Sequence, residues 1–205
     1  MFRYMLFIAL CAVGLCGESH LRGEYVCAPR RGRVLILRGA FSVFSLGMDD
    51  LGAKIERCGV DVAVVPAFMS SAATGWLIEL ARRGYVVEPI VLIGHSKGGH
   101  LTAECARQLQ ACGLRVRLII IVDNPNRTVI PANVERCVNF YHTNFLGLFH
   151  GFPATGDPGH GCILNVDIDQ LPDRRLGGYI DHFNMDSSPW VHDKIIREVL
   201  SACRS

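Results

Sequence analysis

The sequence predicts an α/β domain built on a doubly wound, mostly parallel sheet with helices on both faces. First, three amphipathic helical segments each end at a glycine and lead into a β-branched strand; these glycines are Gly59, Gly84 and Gly113. Glycine just past a helix end takes the left-handed conformation without a Cβ clash. Second, the runs 34–37 and 118–122 are apolar throughout, which is typical of parallel strands covered on both faces.

Strands and helices alternate along the chain, and no internal domain boundary interrupts them. The predicted strands span 33–38, 60–65, 88–94, 116–122 and 137–142, and the first predicted helices span 47–58, 73–83 and 97–112. Residues 143–178, rich in glycine and proline, are predicted to be irregular, and a short strand near Tyr179 and Ile180 follows them. Ser188 then caps the last helix, and Pro189 occupies the first helical position, where no N–H is needed.

Composition narrows the class of protein. The 205 residues are 50% hydrophobic and 20% charged, and 21 lysines and arginines against 19 acids leave a formal net charge of +2. This chain is too apolar for intrinsic disorder and too evenly charged for an electrostatic nucleic-acid binder. Its length suits one domain with a full-sized core. We therefore expect a single globular domain over residues 18–205 and no nucleic-acid partner.

Residues 1–17 have the features of an export signal. Arg3 gives a positive start, and the run 4–16 is apolar or small. The run matches a signal-peptide core and is shorter than the roughly 20 residues that a membrane-spanning helix needs. The expectation is an exported protein, periplasmic or secreted. The alternatives are an uncleaved N-terminal anchor that keeps the protein near the membrane, a lipid anchor at Cys16, and a buried N-terminal helix.

Cysteine spacing gives little guidance. Nine cysteines fall to seven if Cys11 and Cys16 leave with the signal, and none forms a Cys-x-x-Cys motif, so thioredoxin-like and zinc-ribbon sites lack support. Cys105 and Cys112 lie seven residues apart on one predicted helix, roughly 10 Å, which is too far for a disulfide between them. Other bridges, and simple burial as small hydrophobic residues, both remain open.

The clearest chemical signal is the segment 94–99, Gly-His-Ser-Lys-Gly-Gly, set between an apolar strand and a helix. In a Gly-x-Ser-x-Gly motif so placed, Ser96 lies on a sharp strand-to-helix turn that leaves little room two residues before and two residues after it. The turn also directs the helix N-terminus, with its unsatisfied N–H groups, at a developing anion. The motif predicts Ser96 as a nucleophile; a helix-capping serine in a glycine-rich turn is the alternative.

With these residues in place, the chain resembles the α/β-hydrolase superfamily, and specifically its small bacterial lipase- and thioesterase-like members. The resemblance runs from about residue 33 to the end. It is carried by segment 94–99, by Val-Asp-Asn-Pro at 122–125 and by Tyr-Ile-Asp-His-Phe-Asn at 179–184. It implies a minimal α/β-hydrolase fold and a Ser-Asp-His triad that needs neither a metal nor a cofactor.

The resemblance implies His182 as the base that activates Ser96, because the base of these folds lies on the loop before the last helix. His160 is the alternative base, and His192, within the last helix, is expected to have a surface or packing role.

The acid implied by the resemblance is Asp123, which ends the strand 116–122 at the carboxyl edge where parallel-sheet sites form. Asp157 is the alternative, because most superfamily members place the acid one strand later.

For the oxyanion site the resemblance implies the backbone N–H of Lys97 and a second N–H from the loop after the first strand, at Ala40 or Phe41. Many relatives carry His-Gly in that loop, where this chain has Arg-Gly at 38–39.

An apolar cluster follows the strand 137–142, and it is predicted either to be core or to line a pocket for the acyl group. Three of its members are candidates for lining the pocket: Phe145, Leu146 and Phe149.

The expected function is therefore that of a serine hydrolase that cleaves carboxylic esters or thioesters of a small-molecule or lipid-like substrate through an acyl-enzyme. Phosphate-binding P-loop and His-Glu-x-x-His zinc motifs are absent from the sequence. Two alternatives stay open: an amidase or peptidase with the same triad, and a non-catalytic envelope binding protein that keeps the hydrolase fold.

Overall fold

The computed structural model describes residues 30–39, 46–143, 150–172 and 180–203. Within these ranges six strands form the main sheet: β1 (Arg33–Leu37), β2 (Asp61–Val65), β3 (Ile90–His95), β4 (Leu118–Val122), β6 (Arg136–Tyr141) and β8 (Cys162–Asp167). Their order is β2-β1-β3-β4-β6-β8, and every neighbouring pair is parallel. Two short strands, β5 (Val129–Ile130) and β7 (Thr155–Gly156), form a separate parallel pair.

In the described part of the chain, four helices cover the sheet: α1 (Gly47–Arg57), α2 (Ser70–Arg82), α3 (Lys97–Gln110) and α4 (Pro189–Ala202). Alternate side chains of the strands point to opposite faces, so β1 sends Val34 and Ile36 into the core under α1 and α4. Its other residues, Leu35 and Leu37, enter the core under α2 and α3. The predicted α/β class, with a parallel sheet and helices on both faces, is confirmed.

Most local predictions are confirmed as well. Gly59, Gly84 and Gly113 follow α1, α2 and α3 with φ values of +85°, +80° and +74°, which only glycine adopts without strain. At the start of α4 the Ser188 side chain accepts the Val191 N–H at 3.5 Å. The strands and helices begin or end within about three residues of their predicted limits.

Two predictions are wrong. The stretch 143–178 was expected to be irregular, but it contains β8, the outermost strand of the main sheet. An edge strand has one strand neighbour, and all six residues of β8 are exposed or half-buried, so it lacks the apolar run that marks the inner strands. The strand expected near Tyr179 and Ile180 is not found at Ile180, which has no regular structure, and Tyr179 lies outside the described residues.

The N-terminal segment 1–17 also lies outside the described residues. In the part that the structure describes, six cysteines are present and all are unpaired, Cys105 and Cys112 among them. None of the helices in the described ranges combines the length and the hydropathy that a membrane span requires.

Candidate active site

Ser96 forms a one-residue elbow between β3 and α3. Its backbone has φ +54° and ψ −126°, a conformation that is uncommon for a residue with a side chain. Two hydrogen bonds hold the elbow: the Ser96 N–H donates to the Val122 carbonyl at 2.9 Å, and the Gly99 N–H donates to the Ser96 carbonyl at 2.9 Å. Ser96 is half-buried rather than enclosed.

The two glycines around the serine are required by close backbone packing. A Cβ atom at Gly94 would overlap the carbonyl oxygen of Gly98, and a Cβ at Gly98 would overlap the carbonyl oxygen of Leu37 at the end of β1. Both neighbours are backbone atoms, which cannot turn aside as a side chain can. The crowding inferred from the motif is therefore present, and it brings the start of α3 against the carboxyl end of β1.

Asp123 stands beside this elbow because the strand register places it there. His95 of β3 pairs with Val122 of β4, so the next residue on each strand, Ser96 and Asp123, emerges at the same edge of the sheet. Asp123 also has a positive φ, +46°, and its N–H donates to the Phe140 carbonyl at 2.8 Å. Its side chain is fully buried, with 0% exposure.

His182 meets Asp123 directly: the imidazole Nδ1 lies 2.7 Å from the carboxylate Oδ2. The histidine lies in the turn before α4, as predicted, and only 5% of it is exposed. A second contact fixes this turn, since Nε2 of His95 lies 3.2 Å from the His182 carbonyl oxygen. A carbonyl can only accept, so His95 carries its proton on Nε2.

A second imidazole contacts the other oxygen of the Asp123 carboxylate. Nδ1 of His142 lies 2.8 Å from Oδ1 of Asp123, and His142 is 1% exposed. No function is predicted for His142 from the sequence. Its position in the sequence could have indicated a role, because it follows β6 by one residue. β6 is the neighbour of β4, and the pairing of Val122 with Phe140 brings the ends of the two strands to the same sheet edge.

The charges at this cluster favour an ionised carboxylate. Burial raises the pKa of Asp123, but the hydrogen bonds and charges of His142 and His182 outweigh it, and the pKa falls below its ordinary value. Burial, with the charge of His182, lowers the pKa of His95 to about 4. His95 is therefore neutral throughout the neutral range, which suits its bond to the His182 carbonyl.

The alternative acid and the alternative base lie elsewhere. Asp157 pairs with Arg107 of α3, whose Nη1 lies 2.8 Å from its Oδ2. His160 is exposed, and its Nδ1 contacts the neighbouring Gly161 carbonyl at 2.5 Å. His192 is buried on α4, where its Nε2 meets the Asp186 carbonyl at 2.5 Å, a packing role in agreement with expectation.

The structure thus brings Asp123 and His182 into contact and puts Ser96 on the adjoining strand end. Within the described residues, no hydrogen bond joins the Ser96 hydroxyl to the His182 imidazole. Such bonds are often long in unliganded sites and shorten when substrate binds.

Lys97 is the first residue of α3, a position whose N–H has no intrahelical acceptor. The other predicted oxyanion and pocket residues lie outside the described residues: Ala40, Phe41, Phe145, Leu146 and Phe149.

A parallel sheet that carries a serine on a strand-to-helix elbow, with an aspartate–histidine pair at the next strand end, is the arrangement of an α/β hydrolase. Residues 78–136, which include β3, the elbow, α3 and Asp123, match the family model of the Thioesterase domain. The resemblance to thioesterase-like α/β hydrolases that the sequence predicted is confirmed.

Several solved structures are similar to the chain in fold. RedJ, a thioesterase of the prodiginine biosynthetic pathway in Streptomyces coelicolor, is 11% identical with a TM-score of 0.48, over 95% of this chain and 98% of that chain. The type II thioesterase BorB of the borrelidin biosynthetic cluster is 12% identical with a TM-score of 0.47, over 89% and 97%. A putative hydrolase of the α/β superfamily from Xanthomonas campestris pv. campestris is 17% identical with a TM-score of 0.43, over 82% and 99%. No match is found among curated proteins.

Proposed function

We propose that this protein is a serine hydrolase of carboxylic esters or thioesters, with Ser96 as nucleophile, His182 as base and Asp123 as the acid of the triad. One observation carries the proposal: the buried Asp123–His182 pair, 2.7 Å apart, stands at the strand end next to the strained elbow of Ser96. Strain of this kind persists where the surrounding structure holds it in place, and it concentrates at functional sites.

The geometry supports a two-step reaction. His182 takes the Ser96 hydroxyl proton as the serine oxygen attacks the acyl carbon, and Asp123 stabilises the imidazolium that forms. The Lys97 N–H at the start of α3 donates to the oxyanion, assisted by the helix dipole. The protonated His182 then gives its proton to the departing alcohol or thiol, which leaves an acyl-enzyme. Water, deprotonated by the same imidazole, hydrolyses the acyl-enzyme and restores Ser96.

The match of residues 78–136 to the Thioesterase domain supports an acyl substrate. A thioester suits this machinery, because a thiol leaves more readily than an amine and needs less help from a general acid. We propose a small-molecule or lipid-like acyl compound as the substrate and no cofactor.

The test is to replace the nucleophile and to assay three substrate classes: an ester, a thioester and an amide. We expect the wild-type protein to hydrolyse a short p-nitrophenyl ester and an acyl thioester, and to be labelled by a fluorophosphonate. Ser96→Ala should abolish both turnover and labelling, because the substitution removes the oxygen that attacks the acyl carbon. Ser201→Ala is the matched control: Ser201 is an exposed serine on α4, and its loss should change neither readout.

Undiminished activity in Ser96→Ala would overturn the proposal. A folded wild-type protein that stays inert to the fluorophosphonate would favour a non-catalytic binding protein instead. Amide turnover above ester and thioester turnover would favour the amidase or peptidase alternative with the same residues.

We also propose that residues 1–17 direct export of the protein. The proposal is supported by the short apolar core behind Arg3. Fractionation of cells that produce the full chain, with mass measurement of the mature N-terminus, tests it. An intact N-terminus on protein confined to the cytosol would contradict it, and an intact N-terminus in the membrane fraction would favour the anchored alternative.

A further inference from the structure

The Asp123 carboxylate is shared by two imidazoles. Oδ1 faces Nδ1 of His142 at 2.8 Å, and Oδ2 faces Nδ1 of His182 at 2.7 Å. An ionised carboxylate can only accept hydrogen bonds, so both Nδ1 atoms carry protons. For His182 this tautomer leaves Nε2 without a proton, which is the form that a general base requires. Asp123 therefore fixes the tautomer of His182, and His142 is the group that shares Asp123 with it.

Because Asp123 is buried, His142 determines whether its Oδ1 has a hydrogen-bond donor. Asp123 is fully buried and His142 is 1% exposed, so water has little access to Oδ1. The chain at Gly151 closes over the same oxygen: its N–H donates to the His142 carbonyl at 2.8 Å, and a Cβ placed there would lie 3.3 Å from Oδ1. A buried carboxylate oxygen that loses its donor is left unsatisfied, which is costly in a low-dielectric site.

The charges that face His142 come from three elements. Asp123 lies at the end of β4, Asp169 lies in the 3₁₀ turn 168–170 after β8, and Asp181 lies in the turn before α4. His182 is bound to the other oxygen of the same carboxylate. Burial lowers the pKa of His142, but the hydrogen bond and charge of Asp123, with the charges of Asp169 and Asp181, raise it overall above its ordinary value. His142 thus carries a positive charge over more of the neutral range than a free histidine.

We propose that His142 is a positioning residue for the triad: it holds Asp123 so that Oδ2 faces His182, and its positive charge opposes protonation of His182. The inference rests on the proposed Ser96–His182–Asp123 chemistry. It predicts two separable effects, one of geometry and one of charge, because the donor at Nδ1 and the positive charge can be removed independently.

Two variants separate these effects. His142→Asn keeps an amide N–H near the position of Nδ1 but has no charge, and His142→Leu has similar bulk but neither donor nor charge. For His142→Leu we expect kcat to fall about 10- to 100-fold with little change in KM, because Oδ1 is left unsatisfied. For His142→Asn we expect most of kcat to be recovered at the optimum pH. The acid limb of its kcat/KM profile should move up by about 1 pH unit, because His182 gains protons more easily without the neighbouring charge.

The control is His160→Asn, which removes an exposed histidine away from this cluster and should leave kcat and the pH profile unchanged. Two results would overturn the inference: kinetics of both His142 variants equal to wild type, or an equal loss in both with an unmoved acid limb, which is the behaviour of a purely structural residue. If His142→Leu does not fold, the acid limb of His142→Asn decides alone.

An NMR titration of the histidine rings separates this inference from the proposed function. If the wild-type protein has no activity, the proposed function fails, but the titration still reports the pKa of His182 in wild type and in His142→Asn. A rise of the His182 pKa in the variant supports the coupling through Asp123. An unchanged His182 pKa overturns it.

Discussion

The Ser96 backbone N–H donates to the carbonyl oxygen of Val122 at 2.9 Å. Through this bond the elbow of the proposed nucleophile is tied to the strand whose next residue is Asp123. The serine and the acid therefore belong to one rigid unit of two paired strands, and only His182 arrives from a separate turn. We therefore distinguish substitutions that should impair the chemistry from substitutions that should impair assembly of the site.

Asp123→Asn should be the most damaging replacement outside Ser96 and His182. An amide in place of the carboxylate cannot accept from both imidazoles and favours the wrong tautomer of His182, so we expect kcat to fall by about 10⁴-fold. The measurement is steady-state hydrolysis of a p-nitrophenyl ester. Asp157→Asn is the control: it breaks only the ion pair with Arg107, and its kcat should match wild type. The opposite ranking of the two variants would make Asp157 the acid.

Much of the site was predictable because its signals are local. An apolar strand, a glycine two residues before and after a serine, and a following helix specify the elbow at Ser96 without knowledge of distant contacts. The same holds for Gly59, whose place between a helix and a strand sets its positive φ. Asp123 and His182 were predicted as acid and base from their places in the order of the chain, at a strand end and before the last helix, and the structure brings the two side chains into contact.

What could not be predicted depends on register and on sheet edges. His142 contacts a residue 19 positions away, and only the pairing of β4 with β6 makes the two strand ends coincide. β8 was not predicted because an edge strand buries fewer side chains. Leu164, at its centre, is 43% exposed. In both cases the decisive contacts join distant parts of the chain, and a local pattern carries no trace of them.

Gly98→Ala should destabilise the fold as well as the site. The added methyl group would overlap the carbonyl oxygens of Leu37 and Arg38, so β1 and α3 must move apart. We expect a loss of about 2–3 kcal/mol in the free energy of unfolding, measured by urea denaturation. Gly75→Ala is the control, because it lies within α2 with no atom within 4 Å of the new methyl group. It should stabilise the protein by about 0.5–1 kcal/mol. Equal effects of the two changes would contradict the packing argument.

His95→Leu tests whether the turn that carries His182 is held by the bond from His95 Nε2, 3.2 Å from its carbonyl oxygen. Without this donor the imidazole of His182 loses its fixed position, and we expect kcat to fall about 10-fold. His95→Gln, which can supply an amide N–H, should recover part of the loss. Because the pKa of His95 is lowered to about 4, neither variant should move the acid limb of the pH profile above pH 5. A shifted limb would mean that His95 itself titrates in catalysis.

Asp186 should make the stability of the protein fall as the pH rises from about 4 to 6. Burial raises the pKa of its carboxyl from 3.8 to about 6, although Oδ2 accepts the Gly47 N–H at 3.1 Å. Between these values the folded protein binds more protons than the unfolded chain, so stability present below pH 4 is lost by pH 6. Asp186→Asn keeps an acceptor without the charge. We expect it to raise the free energy of unfolding at pH 7 by about 1–3 kcal/mol and to flatten this dependence, measured by urea denaturation at several pH values. Parallel pH curves for variant and wild type would show that Asp186 ionises normally.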